Sequence, residues 1–320
     1  MPPWANPVTM AEPLALAALA LDAMVGWPGS VYRRIGHPVG GFALFIAACE
    51  RRWNCPQHSE VAKRALGVVT LLLVAGGGAL VAWAVEAAIR HLAGAWAWPL
   101  LALAAWPALA QRSLLEHYRP VLAALERGDL AGARQSVSLI VGRDAATLDE
   151  PGVARAAIES LAESFCDGIA APLFWLLALG LPGIWAFKAV STADSLIGHP
   201  EPPLRAFGWA SARCDDAMNL IPARLSGVLI CLAGGKGWRV LWRDHARHAS
   251  PNAGWPEAAM AGALDVQLAG PVSYEGALQD KPWIGNGRPP TTASMRMAAA
   301  IFMRACPLLW FIAGGLTWVL

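Results

Sequence analysis

Four polar strings carry the side chains that could do chemistry. In "LDEPGVARAAIESLAESFCDG", residues 148–168, Glu159, Glu163 and Asp167 recur four residues apart. On a helix they share one face, with Ser160 and Ser164 beside them. Three like charges in a row repel one another, and magnesium, held by carboxylates together with substrate phosphates, is the obvious counter-charge; a solvated acidic face is the plainer alternative. Because the row runs into an apolar segment, where an idle charge is expensive, the metal reading is favoured. Asp149 with Pro151 behind it predicts where this helix begins.

In "KAVSTADSLIGHP", 188–200, a helix puts Lys188, Thr192 and Ser195 on one side with Ser191 and Asp194 adjacent. A lysine point charge among hydroxyls suits a phosphate. The competing reading is a lysine snorkelling at a membrane boundary, with the hydroxyls bonded back to their own helix. In "GWASARCDDAMNLIPARL", 208–225, Arg213 pairs with Asp216 at i, i+3 and Asp215 with Asn219 at i, i+4, and Pro222 ends or kinks the helix before Arg224. The acid- and amide-rich face suits a hard cation and the arginines suit a phosphate or carboxylate, unless the whole is a salt-bridged helix surface.

The fourth string, "HASPNAGWPEAAMAGAL", 248–264, places Ser250, Asn252 and Gly254 before Pro256, the expected first helical residue. The free N–H groups of the next turn would then face the loop and an anion, while Glu257 either binds metal or satisfies the helix dipole. His245 and His248 are three apart and read better as a surface pair than as metal ligands. Two Gly-rich loops follow, "AGPVSYEGAL" (269–278) and "WIGNGRPP" (283–290), the second carrying Arg288 as a candidate phosphate contact. The sequence has no P-loop, no G-x-S-x-G elbow and no H-E-x-x-H.

The elements that must position these strings are membrane helices. Of the 320 residues 56% are hydrophobic and only 15% charged, against about 25% charged in a soluble domain. "ALGVVTLLLVAGGGALVAWAV", 65–85, carries no charge and is long enough to cross a bilayer. The expected spans are about 13–27, 65–89, 93–110 and 300–320, in a single membrane-embedded domain over 1–320. Glu12 and the absence of Lys or Arg near the start argue against a cleaved signal peptide. Lys and Arg concentrate in 28–64, 111–164 and 236–296, so the polar loops 111–164 and 236–298 are expected in the cytoplasm and the N-terminus outside. In 171–195, Gly180, Pro182 and Gly183 leave about ten apolar residues on each side, each arm reaching half a bilayer at about 1.5 Å per residue. A re-entrant hairpin is favoured over a full span because it keeps the polar strings together. The fold class expected is thus all-α integral membrane protein, with about four full transmembrane helices plus re-entrant or half-spanning helices and helical cytoplasmic loops.

A net charge of +2 without a basic stripe gives no reason to expect nucleic acid. Six scattered cysteines without C-x-x-C support neither a zinc site nor a disulfide framework.

Taken in order, "LDAMVGWP" with "HPVG", "ESLAESFCDGIAAPLFW", "KAVSTADSLIGH", "FGWASARCDDAMNLIPARL" and "HASPNAGWPEAAMAGAL" resemble the CobD/CbiB family of adenosylcobinamide-phosphate synthases, from about residue 21 to 290. Where that family usually reads A-E-N and N-T-x-D-S, this chain reads Ala162-Glu163-Ser164 and Ser191-Thr192-Ala193-Asp194-Ser195, a small polar exchange in each. The resemblance implies an inner-membrane enzyme of cobalamin biosynthesis that joins adenosylcobyric acid, a corrinoid, to (R)-1-amino-2-propanol phosphate or free aminopropanol through an amide bond, with ATP. On that reading magnesium sits among Glu163, Asp167, Asp215 and Asp216, and Lys188, Arg213 and Arg224 neutralise phosphoryl charge. A carboxylate or His248 takes the ammonium proton. The helix start near 256 cradles a phosphate, and Trp175, Trp209 and Trp255 line the corrinoid. Expected partners are these substrates, membrane lipid, other membrane enzymes of the late pathway and a second copy of the chain. Two competing classes are a membrane sensor like the related AmpE-type proteins and a subunit that presents corrinoids without catalysis. Ionisable groups at segment ends rather than in mid-span favour the enzyme over a transporter.

Overall fold

A computed structural model of the protein describes residues 13–142, 144–274 and 277–319, those of 272–279 and 317–319 by backbone alone. Glu12, and Glu275 and Gly276 of the first Gly-rich loop, lie outside the described residues. The architecture is all-helical, with short strand pairs in one loop. Helix α1 (Leu14–Val25) stops where Gly26 turns to φ 60°, and α2 (Gly29–Ile35) and α3 (Pro38–Trp53) leave it at 101°. Helix α4 (Glu60–Leu71), capped by Ser59, passes through a π-helical turn, Leu72–Gly76, into α5 (Gly77–Ala93). Helices α6 (Ala97–Ala105), α7 (Gln111–Glu126) and α8 (Leu130–Val137) lead to α9 (Glu150–Phe165) and α10 (Ala171–Ile197). Then come α11 (Leu204–Phe207), α12 (Trp209–Met218), α13 (Leu220–Gly234), α14 (Trp238–Asp244), α15 (Gly254–Leu264) and α16 (Thr292–Val319). Between the last two, β1 (Leu268–Ala269) pairs antiparallel with β4 (Trp283–Ile284), and β2 (Val272–Tyr274) with β3 (Ala277–Gln279).

Among the described residues three helical stretches are long and apolar enough to cross a membrane, and up to five if each bent pair counts as one. Along α4 and α5 the large apolar side chains point outward: Leu72, Leu80, Val81, Trp83 and Leu92 are exposed. In water such a face is a liability, and in lipid it is the ordinary surface. The chain is therefore a membrane protein. The segment 93–110, expected as a full span, contains only the nine-residue α6 between two 3₁₀ turns. Pro99 and Pro107 and the glycine at 94 (φ 53°) explain the interruption.

Asp149 caps α9 as its position predicts, its carboxylate accepting the Gly152 N–H at 2.8 Å. The surroundings of α9 differ from those of a cytoplasmic loop. Val153, Ala156, Ala157, Ile158, Leu161 and Phe165 are all buried in the largest core cluster. Small residues let the neighbouring helices close: a Cβ on Gly234 of α13 would stand 2.8 Å from that of Ala263 in α15.

At Gly180 (φ 67°, ψ −152°) α10 breaks and the chain turns back on itself. A Cβ on Gly183 would lie 2.3 Å from the Trp175 carbonyl oxygen, so the two arms touch at the turn. Glu86 on α5 caps the second arm by accepting the Leu181 N–H at 3.1 Å. Both arms lie on the same neighbour: Trp175 donates its indole N–H to the Met218 carbonyl at 3.2 Å, and Asp194 feels the charges of Asp216 and Arg213, all on α12.

Candidate active site

The reversal at Gly180 brings the first three polar strings together. Asp167 lies in a π-helical turn, Cys166–Ala170, which shifts the helical phase after α9. Lys188, on the returning arm, is within electrostatic reach of both Asp167 and Asp215. In an unbroken helix Asp167 and Lys188 would stand about 30 Å apart. Asp194 and Asp216 add their charge to Asp215. Two carboxylates thus flank one ammonium, and two more stand beside Asp215. Arg213, 65% exposed, reaches in from the rim to Asp216 at 3.3 Å.

Asn219 orients Asp215, donating to its Oδ2 at 2.9 Å, and its own Oδ1 faces the Cys166 thiol at 3.8 Å. The other oxygen of Asp215, Oδ1, is buried and has no hydrogen-bond partner among the described residues. Such an acceptor is costly to bury unless a ligand completes it. The i, i+4 pairing of Asp215 with Asn219 is therefore as the sequence predicts, and it holds a carboxylate with one oxygen to offer.

The fourth string joins through Asn252. Its amide donates to the Asp216 carbonyl at 2.7 Å and accepts from Arg224 at 3.4 Å. Arg224 also bonds the Leu220 carbonyl and lies over the Trp255 ring, 4.8 Å from its centroid, so this guanidinium clamps α13 to the 248–254 loop. The helix start differs from the expected anion cradle. Helix α15 begins at Gly254, two residues before Pro256. Ser250 Oγ accepts the N–H groups of Asn252 and Ala253, and the Asn252 carbonyl accepts that of Trp255. The turn is closed on itself and leaves no such row of donors for a phosphate. Gly254 is small because its Cβ would stand 2.0 Å from the His245 carbonyl oxygen.

Glu257 points instead into a cavity of about 230 Å³, lined also by Glu159, Ser160, Glu163, His248 and Lys281. Its carboxylate lies 3.6 Å from His248 Nε2. The Ser250 N–H donates to His248 Nδ1 at 3.0 Å, so hydrogen bonding assigns the tautomer: Nε2 carries the proton and faces Glu257. Burial, reinforced by the Lys281 charge, holds the imidazole below its usual 6.5 and keeps it neutral. Glu159 accepts the Ala269 N–H at 2.6 Å. Glu163, which also acts on Asp167, stands between this cavity and the Lys188 cluster.

Other expected contacts fall elsewhere. Thr192 and Ser195 donate their hydroxyls back to Lys188 and Ser191 carbonyls in their own helix. Arg288 is exposed and contributes backbone alone, pairing with Gln267 and Asp265. Among the described residues no three His, Cys, Asp or Glu side chains converge on one ion position, so Glu163, Asp167, Asp215 and Asp216 do not form a protein cage for magnesium. Magnesium bound mainly by water and phosphate oxygens, with one or two carboxylates, is a different requirement, and the buried, half-satisfied Asp215 beside Asp167 fits it.

Sequence reading passed over Lys281 and Asp244. Asp244, fully buried, accepts the Gly285 N–H at 2.8 Å and pairs with Arg243 and Arg247, anchoring the loop that carries Lys281 to α14. Arg243 holds its carboxyl below the usual 3.8 against the opposing effect of burial. Neither residue stands in a recognisable spacing; only Glu159, four before Glu163, had a periodic signal.

A helical membrane protein with a half-buried cluster of carboxylates and one lysine is the class that fold and site define. The chain belongs to the CobD/CbiB family, whose description, CobD/Cbib protein, matches residues 15–302. It is 46% identical over 306 residues to the cobalamin biosynthesis protein CobD of Rhodobacter capsulatus, covering 94% of this chain and 96% of that one. It is 46% identical to its namesake from a Sinorhizobium species, over 92% and 94% of the two chains. With that of Geobacter metallireducens it shares 42% identity over 98% and 99%. No solved structure matches the chain.

Proposed function

We propose that this protein is the adenosylcobinamide-phosphate synthase of cobalamin biosynthesis, a multi-pass inner-membrane enzyme with its site on the cytoplasmic face. It would join adenosylcobyric acid to (R)-1-amino-2-propanol phosphate, or to aminopropanol, through an amide bond at the expense of ATP. The observation that carries this is Asp215, a carboxylate held by Asn219 with its second oxygen buried and unsatisfied, opposite Lys188 and beside Asp167. An arrangement of like charges at a membrane helix hairpin is too costly to be structural padding.

ATP and magnesium, when bound, supply activation of the corrin carboxyl for attack by the amine. Asp215 and Asp167 are the residues that would hold the magnesium, with Asp216 at the rim. Lys188, fixed between the carboxylates, offsets negative charge that develops in phosphoryl transfer, and Arg213 does the same from the surface. The ammonium must lose a proton before its nitrogen can attack. Because His248 Nε2 already carries its proton toward Glu257, the acceptor assigned here is a carboxylate, Glu257 or Glu163, with His248 orienting Glu257. Trp209, exposed at the start of α12 with Arg64 over its ring, and Trp175, bonded to the end of α12, are the aromatics that would meet the corrinoid; Trp255 is committed to Arg224 and His245.

The test is direct. The protein purified in detergent, given adenosylcobyric acid, aminopropanol phosphate, magnesium and ATP, should convert the corrinoid to a species heavier by one amide-linked amino alcohol, read by mass spectrometry. A bound but unmodified corrinoid would reject the synthase reading and leave the corrinoid-presenting subunit.

A further inference from the structure

The 230 Å³ cavity beside the Lys188 cluster has a size and a charge pattern that select among the reaction's components. It is smaller than the roughly 300–1,000 Å³ of a typical drug-sized ligand site, so neither a corrin ring nor a nucleotide enters it. Its lining is largely polar and carries both acidic and basic side chains. Helix α9 contributes Ala156, Glu159, Ser160 and Glu163, and Glu257 with His248 closes one side. The loop after α15 contributes Gly270 and Lys281. Glu159 and Glu257 are 5% and 4% exposed, and Lys281 is close enough to His248 to act on its charge, as is Glu159. Three carboxylates and one lysine around a cavity of this size suit a small zwitterion, its cation on the carboxylates and its anion on the lysine.

We propose that this cavity is the amino-alcohol subsite, with the substrate ammonium on Glu159, Glu163 and Glu257 and its phosphate on Lys281. This rests on the synthase reading and adds to it the division of labour between the two polar groups. Glu163, between them, presents the amine toward the Asp167, Lys188 and Asp215 cluster where the carboxyl is activated. Lys281 is thereby the residue that discriminates a phosphorylated amino alcohol from a free one.

The experiment is calorimetric titration of the full-length protein in detergent, without ATP or corrinoid, using aminopropanol phosphate and aminopropanol in turn. Wild type should bind the phosphorylated amine more tightly. Lys281→Met should weaken it about tenfold, equivalent to about 1.4 kcal/mol, and leave free aminopropanol unchanged. Glu257→Gln should weaken both. Lys281 is only half-buried, so its replacement tests the assignment even if a glutamate variant fails to fold. Unchanged binding of both amines to Lys281→Met, or no binding to wild type, overturns the subsite. If binding responds as expected and no amide forms with ATP and corrinoid, the synthase reading falls and the amine pocket stands; amide formation with binding indifferent to these variants gives the converse.

Discussion

Asp215→Asn separates a catalytic role from a structural one, because the two make opposite statements about stability. The substitution keeps the side chain's shape and its contact with Asn219 while removing the carboxylate on which the charges of its three acidic neighbours converge. Asp215 faces Asp194, Asp216 and Asp167 against a single ammonium. Deleting it relieves repulsion on the order of 1 kcal/mol at an effective dielectric near 20. The Tm in detergent should therefore hold or rise by about 2 °C. If the carboxylate is instead needed where phosphoryl charge develops, its loss should cost about 3–4 kcal/mol in the transition state, a fall of roughly 10² to 10³ in the rate of amide formation. Differential scanning fluorimetry and corrinoid mass spectrometry on the same preparation read both quantities. A Tm that drops along with the rate would make Asp215 a structural ion-pair partner, and a rate within about threefold of wild type would remove it from the chemistry.

Gly208→Ala should prevent the site from assembling, since its Cβ would stand 1.5 Å from the Ile197 carbonyl oxygen, where backbone meets backbone between α10 and α12; loss of monodisperse protein in detergent is the expected result, and normal yield would refute the packing argument. Asp244→Asn should cost about 2–3 kcal/mol by weakening the Arg243, Arg247 and Gly285 contacts to a buried carboxylate, seen as faster backbone hydrogen exchange across 283–288. The fold holds His248 neutral with its pKa below 6.5, so the unfolded chain binds the extra proton first. Its contribution to stability is complete above pH 6.5 and is lost as the pH falls through the lower folded value. Melting curves between about pH 5 and 8 should show this, and His248→Gln should flatten that part of the profile.

Much of the site was legible because its residues advertise themselves by helical spacing. Asp215 with Asn219 and Arg213 with Asp216 pair as their intervals require, and Asp149 caps α9 from the position a cap must take. The break in α10 was legible for a related reason: Gly180, Pro182 and Gly183 cannot continue an apolar helix unchanged. The acidic row was only half legible. Glu159 and Glu163 face one cavity, but the π-helical turn at Cys166–Ala170 carries Asp167 into the Lys188 cluster, and a wide turn leaves no periodic mark.

Composition alone determined that this chain dissolves in lipid, and local rules determined which short strings are helical and where several of them start, since capping and hydropathy depend on neighbours a few residues away. Tertiary structure decided everything that depends on meeting across the chain. It closed the helix start at 254 with Ser250 and Asn252, so what read as an open anion site is a joint between α12 and α15. It also brought Lys281 into one cavity with Glu159, which lies 122 positions earlier in the sequence. No interval in a sequence encodes such a pairing, because the distance between two distant side chains is set by how intervening helices pack.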